Sequence, residues 1–206
     1  MERSRKLATT RIVIFDLGEV LATPPDLYGR LATRISRDEK AVEAAYWAYR
    51  DDYDRGGNSD QFWGSVLRDV GDSTDPAVQT DLSDIDTEAW TVLREDSVQI
   101  LKDLSDRGVR VGILSNAPLA MAAGARSAPW ADYVADWFFS GELKIAKPDP
   151  SIYVYVTAEV GLAPESIVFI DDRQVNVDAA VAQGWNAYLW ESGSATRALL
   201  ESLGLL

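Results

Sequence analysis

The chain contains no cysteine and no histidine. The first absence excludes a disulfide framework and thiolate chemistry. The second removes the commonest general base, metal ligand and switch near neutral pH. Any catalysis must therefore rest on carboxylates, Lys, Ser/Thr, Asn, Tyr or backbone groups. Long hydrophobic runs are missing too: nothing approaches the ~20 apolar residues that span a bilayer, and the charged N-terminus has no apolar segment. A soluble cytoplasmic protein with no membrane partner is expected, and the lack of cysteine fits a reducing compartment. Basic residues are scarce, with 20 Lys+Arg against 33 Asp+Glu and a formal net charge of −13. That field repels a polyanion. Arg3, Arg5 and Lys6 are followed directly by a strand and form no basic run, so no nucleic-acid partner is expected.

What is present suits one full-sized core and a smaller accessory unit: 206 residues, 47% of them hydrophobic and 26% charged. Short apolar runs alternate with helical patterns, the mark of a parallel α/β sheet. The runs are Ile12–Phe15, Val109–Leu114, Trp137–Phe139, Ile167–Ile170 and Ala187–Trp190. Continuous apolar strands are expected where helices cover both faces. Helical spacing predicts helices over Ser97–Arg107 ending at Gly108, from Pro150 to Gly161, and over Val175–Gln183 ending at Gly184. Trp137 and Trp190, near strand ends, suit core packing or an interface equally; the oligomeric expectation is a monomer or a homodimer.

Residues from about Pro24 to Leu93 break this rhythm. They hold four helix-like stretches, Asp26–Ile35, Asp38–Arg55, Ser59–Val70 and Pro76–Leu93, and no convincing strand. Asp38-Glu39 and Ser59-Asp60 read as helix starts, where acceptors and negative charge favour the exposed N–H groups. Tyr46, Trp47, Tyr49, Tyr53, Phe62 and Trp63 are mostly expected inside this bundle. Arg50 and Arg55 are expected to face solvent, with a cleft-facing role as the sharper alternative. The expected division is a core of residues 1–22 and 94–206 and a helical unit of residues 23–93.

Four motifs carry chemistry, and each follows an apolar strand. Asp16, in Phe15-Asp16-Leu17-Gly18-Glu19, ends the first strand, where ligands bind in open α/β sheets. Gly18 is read as permitting a tight turn that brings its carbonyl towards an ion. Ser115-Asn116 ends the second run, where a hydroxyl and an amide are placed to donate to a phosphoryl oxygen. Lys147, in Ala146-Lys147-Pro148-Asp149-Pro150, is directed by the stiff prolines that precede a helix. Asp171-Asp172 end a buried strand and repel one another unless a cation lies near. Mg²⁺ suits such a pair, since it takes one or two carboxylates plus waters and phosphate oxygens. Each motif alone also reads as a cap, a turn or a solvated lysine. Together they supply a nucleophile, oxyanion donors, a cation and a metal site.

The ordered set resembles the haloacid dehalogenase superfamily. The resemblance covers essentially the whole chain and implies a HAD-like doubly wound parallel sheet (Rossmannoid) with an all-helical cap of the first class. FDLGEVL, LSNA, AKPDPSIY and FIDDRQVN look most similar to a branch of sugar-phosphate phosphatases whose first motif reads FDLGNV. It implies a phosphomonoester hydrolase in which Asp16 attacks phosphorus. Mg²⁺ would be held by Asp16, the Gly18 carbonyl and Asp172, with Asp171 reaching it through water or supporting the ligands from behind. Ser115, the Asn116 backbone and Lys147 would hold the phosphoryl oxygens of a small phosphorylated metabolite. Asn176 would orient the ligand carboxylate.

One position departs from the family pattern. Most phosphatases of the superfamily carry a second aspartate two residues after the nucleophile, as acid and base; here that residue is Gly18. Glu19 is the candidate for part of that work, and a turn-capping role is its plain alternative. Two other readings stand beside a phosphatase. A 2-haloacid dehalogenase would use Asp16 on carbon, without metal, but usually reads Asp-x-Tyr-Gly-Thr at the first motif. A non-catalytic binding or regulatory module would keep the fold alone. Phosphonate hydrolysis and phosphosugar isomerisation share the same site logic.

Overall fold

The computed structural model describes residues 11–24 and 26–206; Arg3, Arg5 and Lys6 lie outside them. Five parallel strands form one sheet: β1 (Ile12–Phe15), β2 (Arg110–Ser115), β3 (Asp136–Phe139), β4 (Ile167–Asp171) and β5 (Asn186–Leu189), in the order β3-β2-β1-β4-β5. β1 is central, as its fully buried apolar run requires. Its neighbours are β2 and β4, with Phe15 level with Ile113 on one side and Ile170 on the other. All five predicted runs are strands, with ends shifted by a residue or so.

Alternate strand residues divide between two cores. Val13, Phe15, Val111, Ile113, Val168 and Ile170 face one side. There they pack on α5 (Glu95–Asp106), α6 (Leu119–Ser127) and α10 (Gly193–Ser202). Ile12, Ile14, Ile167 and Phe169 face the other, against α8 (Pro150–Val160) and α9 (Gln174–Ala182). A side-chain period of two, with helices on both faces, is what a doubly wound sheet demands. α5 and α8 end where predicted, at Gly108 (φ 70) and Gly161 (φ 67), left-handed positions that favour glycine. α6, α10 and the single turn α7 (Ser140–Leu143) were not predicted.

Between β1 and α5 lie four helices, α1 (Leu27–Ile35), α2 (Glu39–Asp54), α3 (Ser59–Asp69) and α4 (Pro76–Thr91). They pack in pairs around Tyr46, whose ring meets Tyr28, Trp47, Phe62 and Trp63 at centroid distances of 5.3–6.1 Å. Asp38 caps α2 by accepting from the Ala41 N–H at 3.0 Å, as expected. α3 is capped instead by Asn58, one residue before the predicted Ser59, because its side chain reaches the Gln61 N–H at 3.0 Å. Tyr46, Tyr53, Phe62 and Trp63 are buried, while Trp47 is 52% exposed. The apolar cluster of these helices runs without a break into that of the sheet through Leu17, Val20 and Leu21. Trp137 and Trp190 pack on the same core, the first against Trp130 and Phe139, the second under the Arg94 guanidinium at 4.7 Å. Among the described residues no helix is long and apolar enough to cross a membrane.

Where α7 meets the loop after β2, backbone approaches backbone. Gly141 donates its N–H to the Ala117 carbonyl at 3.1 Å, and a Cβ at position 141 would stand 2.7 Å from that oxygen. Gly141→Ala is therefore expected to destabilise the fold by about 1–3 kcal/mol, the usual cost of overpacking. Urea unfolding checks this; an unchanged midpoint would show that the loop yields freely.

Candidate active site

β1 and β4 end side by side, and this sets the site. The Asp16 N–H still donates to the Ile170 carbonyl at 2.9 Å, so the carboxylates of Asp16 and Asp171 leave adjacent strand ends. Lys147 lies between them. Its Nζ is 3.0 Å from Asp16 Oδ1 and 2.6 Å from Asp171 Oδ2, on a side chain 1% exposed. Burial pushes the Asp16 carboxyl up to about 6; the Lys147 charge pulls it down, and Asp171 pushes it up again. Burial also disfavours the Lys147 charge, but the two carboxylates outweigh it and hold the lysine above its ordinary value.

The lysine is aimed by its backbone. Asn116 Oδ1 accepts the Lys147 N–H at 2.9 Å, and Asn116 Nδ2 donates to the Lys147 carbonyl at 2.8 Å. The Asn116 side-chain amide is thus spent on this clamp, leaving its backbone N–H as the group available to an oxyanion. Asp171 is equally engaged: its Oδ1 accepts from the Arg173 N–H at 2.9 Å and from Asn176 Nδ2 at 2.8 Å. Asn176 therefore orients Asp171 and not Asp172, because the first turn of α9 carries it beneath the strand end. The Asp172 side chain makes no hydrogen bond among the described residues and faces the cavity.

Asp16, Gly18, Glu19, Ser115, Asn116, Lys147 and Asp172 line one cavity of about 310 Å³. Asp171 stands just behind, its carboxylate within 4.8 Å of those of Asp16 and Asp172. Every predicted site residue is thus brought to one place. This oxygen-only donor set suits a hard cation such as Mg²⁺. A second observation fits it as well: Asn176 Oδ1, buried and lining the cavity, has no partner among the described residues. Five carboxylates (Asp16, Glu19, Asp51, Asp54 and Asp172) face three cationic side chains (Arg50, Lys147 and Arg173). A divalent cation bound there would offset part of that excess of negative charge.

Gly18 corrects an expectation. Its φ lies outside the left-handed region; the residue in that conformation is Glu19, at φ 58. The close neighbour of Gly18 is Trp90, whose Cζ3 would stand a tight 3.3 Å from a Cβ at position 18. Glu19 is exposed, and its carboxylate has no hydrogen-bond partner among the described residues, so it does not cap the turn through its side chain.

A haloacid dehalogenase-like hydrolase family model matches residues 10–184. The chain belongs to that family. It is 32% identical to a Mycobacterium tuberculosis phosphatase over 104 residues, covering 50% of this chain and 48% of that protein. It is 34% identical to a Burkholderia cepacia (S)-2-haloacid dehalogenase over 92 residues, covering 44% of this chain and 40% of the relative. The match thus spans less than half the length of either. The fold matches that of a family enzyme from Bacteroides thetaiotaomicron in complex with magnesium and inorganic phosphate. The TM-score is 0.69 at 20% identity, over 89% of this chain and 95% of the other. At that identity the likeness shows a common fold.

In this haloacid dehalogenase-like hydrolase the helices before α5 add cavity residues that sequence reasoning did not place there, Trp47, Asp51, Asp54 and Trp90, and Arg50, for which a cleft-facing role was only the alternative. Arg50 is buried where solvent was expected. Its Nε donates to Asp54 Oδ1 at 2.6 Å, and its Nη1 donates to both Asp86 oxygens at 3.3 and 3.2 Å. Arg55 is exposed as expected and pairs with Asp51. The Arg50/Asp54 spacing of four was the available signal, but Asp51/Arg55 shares it on the exposed side, so spacing alone did not separate them.

Removing the central cation tests the site's electrostatics. Lys147→Met leaves buried carboxylates unpaired and is expected to cost about 3–5 kcal/mol near neutral pH. Without that charge the folded-state pKa of Asp16 rises further above its unfolded value. Stability held by a raised carboxyl is present at low pH and lost as pH climbs through the folded value. The deficit should therefore shrink towards about pH 4. Denaturant unfolding of both proteins across pH reads it; a pH-independent gap would contradict this account.

Proposed function

We propose that the chain is a Mg²⁺-dependent phosphomonoester hydrolase acting on a small phosphorylated metabolite, a sugar phosphate among the candidates. One observation carries the reading: a nucleophile-ready carboxylate, a buried lysine and a cluster of three carboxylates share one cavity edge. A metal-free attack on carbon has no use for the third carboxylate, and this favours phosphorus over a haloacid.

Asp16 Oδ1 accepts the Leu17 N–H at 2.7 Å and faces Lys147, so Oδ2 is the oxygen free to attack. The Asp16–phosphorus bond forms as the ester P–O bond breaks, and the alcohol leaves with a proton. Water then attacks phosphorus, and the aspartyl-phosphate returns to carboxylate and orthophosphate. Lys147, the Ser115 hydroxyl and the Asn116 N–H hold the phosphoryl oxygens. Lys147 also lowers the charge the dianion meets as it approaches Asp16. Asp16, the Gly18 carbonyl and Asp172 would hold Mg²⁺, with Asp171 and Asn176 arranging them from behind. Bound there, the ion supplies charge neutralisation between carboxylate and phosphate.

Residues 23–93 act in this reading as a cap. Trp47, at the cavity rim, and Trp90 offer apolar faces, while Asp51 offers acceptors for hydroxyls. Such a lining suits the hydroxylated part of a phosphorylated sugar or polyol.

Phosphate release from p-nitrophenyl phosphate and a phosphosugar panel is expected to require Mg²⁺ and to disappear in Asp16→Asn. Mg²⁺ should also raise the melting temperature of the parent protein and not of Asp172→Asn, a readout independent of turnover. Halide release from 2-chloropropionate in the presence of a chelator would replace this reading with dehalogenation.

A further inference from the structure

An alcohol leaving phosphorus near neutral pH needs a proton, and the water that follows must lose one. Position 18, where a carboxyl would stand, is glycine, and the Trp90 ring packs closely over it, 3.3 Å from where a Cβ would be. That indole is part of a longer buried arrangement. Trp90 Nε1 donates to the Tyr46 hydroxyl at 3.1 Å, and Tyr46 donates to Asp86 Oδ1 at 2.7 Å. Arg50 joins Asp86 to Asp54. The contacts run from position 18 to a carboxyl on α2 that opens into the same cavity as Asp16.

The two carboxylates on Arg50 differ. Asp86 is 3% exposed and does not reach the cavity, whereas Asp54 is 16% exposed and lines it. Arg50 occupies only Asp54 Oδ1, and Oδ2 has no partner among the described residues. The end of α2 is pinned to the sheet side of the cavity. The Asp54 carbonyl accepts from the Ser140 hydroxyl, whose oxygen accepts the Ala117 N–H at 2.9 Å, two residues beyond Ser115. Lys144 Nζ donates to the Gly56 carbonyl at 2.9 Å and holds the same turn. Asp54 is thus fixed relative to the loop that carries Ser115. Its rivals fit less well: Asp51 is 79% exposed and paired with Arg55, and Glu19 is exposed and unsupported.

We propose that Asp54, delivered from helix α2, is the general acid and base that position 18 does not supply. The inference rests on the phosphomonoester reading. In the first step the Asp54 carboxyl gives its proton to the ester oxygen as the Asp16–phosphorus bond forms and the P–O bond breaks. Asp54 remains as a carboxylate beside Arg50. In the second, Asp54 takes a proton from water as that water's oxygen bonds to phosphorus and the Asp16–phosphorus bond breaks. Asp54 is thereby reprotonated. Burial pushes this carboxyl up to about 6, against the pull of Arg50 and with the push of Asp86 and Asp51, so both protonation states are accessible near neutral pH. Ser140 and Lys144 are the polar groups that meet the same turn from α7.

Leaving-group dependence tests this, because p-nitrophenolate departs without a proton and an alkoxide does not. Asp54→Asn is expected to lower kcat/KM for an alkyl phosphate such as a hexose phosphate about 10²–10⁴-fold. The loss for p-nitrophenyl phosphate should stay below about tenfold, and the decline of the alkyl rate above about pH 6 should vanish. Equal losses on both substrates, or none, in a variant that melts like the parent would overturn the proposal while leaving the phosphatase reading intact. The selective loss appearing in Glu19→Gln instead would move the role to Glu19. Should Asp54→Asn not fold, Asp54→Glu keeps the charge, and its displaced carboxyl should still slow the alkyl ester selectively; an equal effect on both overturns the assignment. A parent protein that hydrolyses no phosphomonoester with Mg²⁺ would remove both readings at once.

Discussion

The site depends on one buried cation between two strand ends. Parallel pairing of β1 with β4 places the carboxylates of Asp16 and Asp171 at the same edge of the sheet, where each raises the cost of the other's charge. Lys147 makes that arrangement tolerable, and it does so only because it cannot turn away. Asn116 clamps its backbone from the end of β2, and Phe169 lies beneath its ammonium at 5.5 Å. Three strands thus contribute to the position of one charge. The arrangement also explains why Asp171 and Asp172 differ in role despite being adjacent. Alternation at the strand end turns the first inward, to Lys147 and Asn176, and the second outward, to the cavity.

The sheet was legible because its strands are buried on both faces and so read as unbroken apolar runs; Ile12–Phe15 has no polar residue to confuse the period. The site followed from it, since Asp16, Ser115 and Asp172 each stand at the carboxyl end of such a run. Lys147 was placed by the prolines after it rather than by a strand. What stayed illegible depends on contacts between elements distant in sequence. Arg50 has the sequence context of a solvated helix charge, and only the approach of Asp86 from α4 makes it a buried one. Gly18 looked like a turn residue because glycine commonly is one; that Trp90, far along the chain, needs the space cannot be read locally. α6, with four alanines in nine residues, has only a weak apolar stripe to mark a helix by its period.

Trp90 also shows how the helices before α5 and the sheet depend on one another. Its ring covers Gly18 in the loop after Asp16, and its nitrogen enters the polar contacts around Tyr46. The apolar cluster is continuous across the same boundary. A Cβ at position 18 would press on that indole at 3.3 Å, so a side chain there asks the ring to give by a few tenths of an ångström. The ring's nitrogen is held by Tyr46, which ties position 18 to the helices before α5.

The choice between phosphorus and carbon as the electrophile turns on charge more than on the nucleophile, which both chemistries share. A haloacid brings a carboxylate to the cavity with no counterion of its own. Here it would meet five acidic side chains, with Lys147 already engaged by Asp16 and Asp171 and Arg50 by Asp54 and Asp86, which leaves Arg173 as the remaining cation of the lining. In the proposed reading a phosphate ester would arrive beside a divalent cation and reverse that balance, because the carboxylates that repel an anion would hold the metal. The acidic excess, awkward for an enzyme of anions when the side chains are counted alone, would then serve to bind the ion.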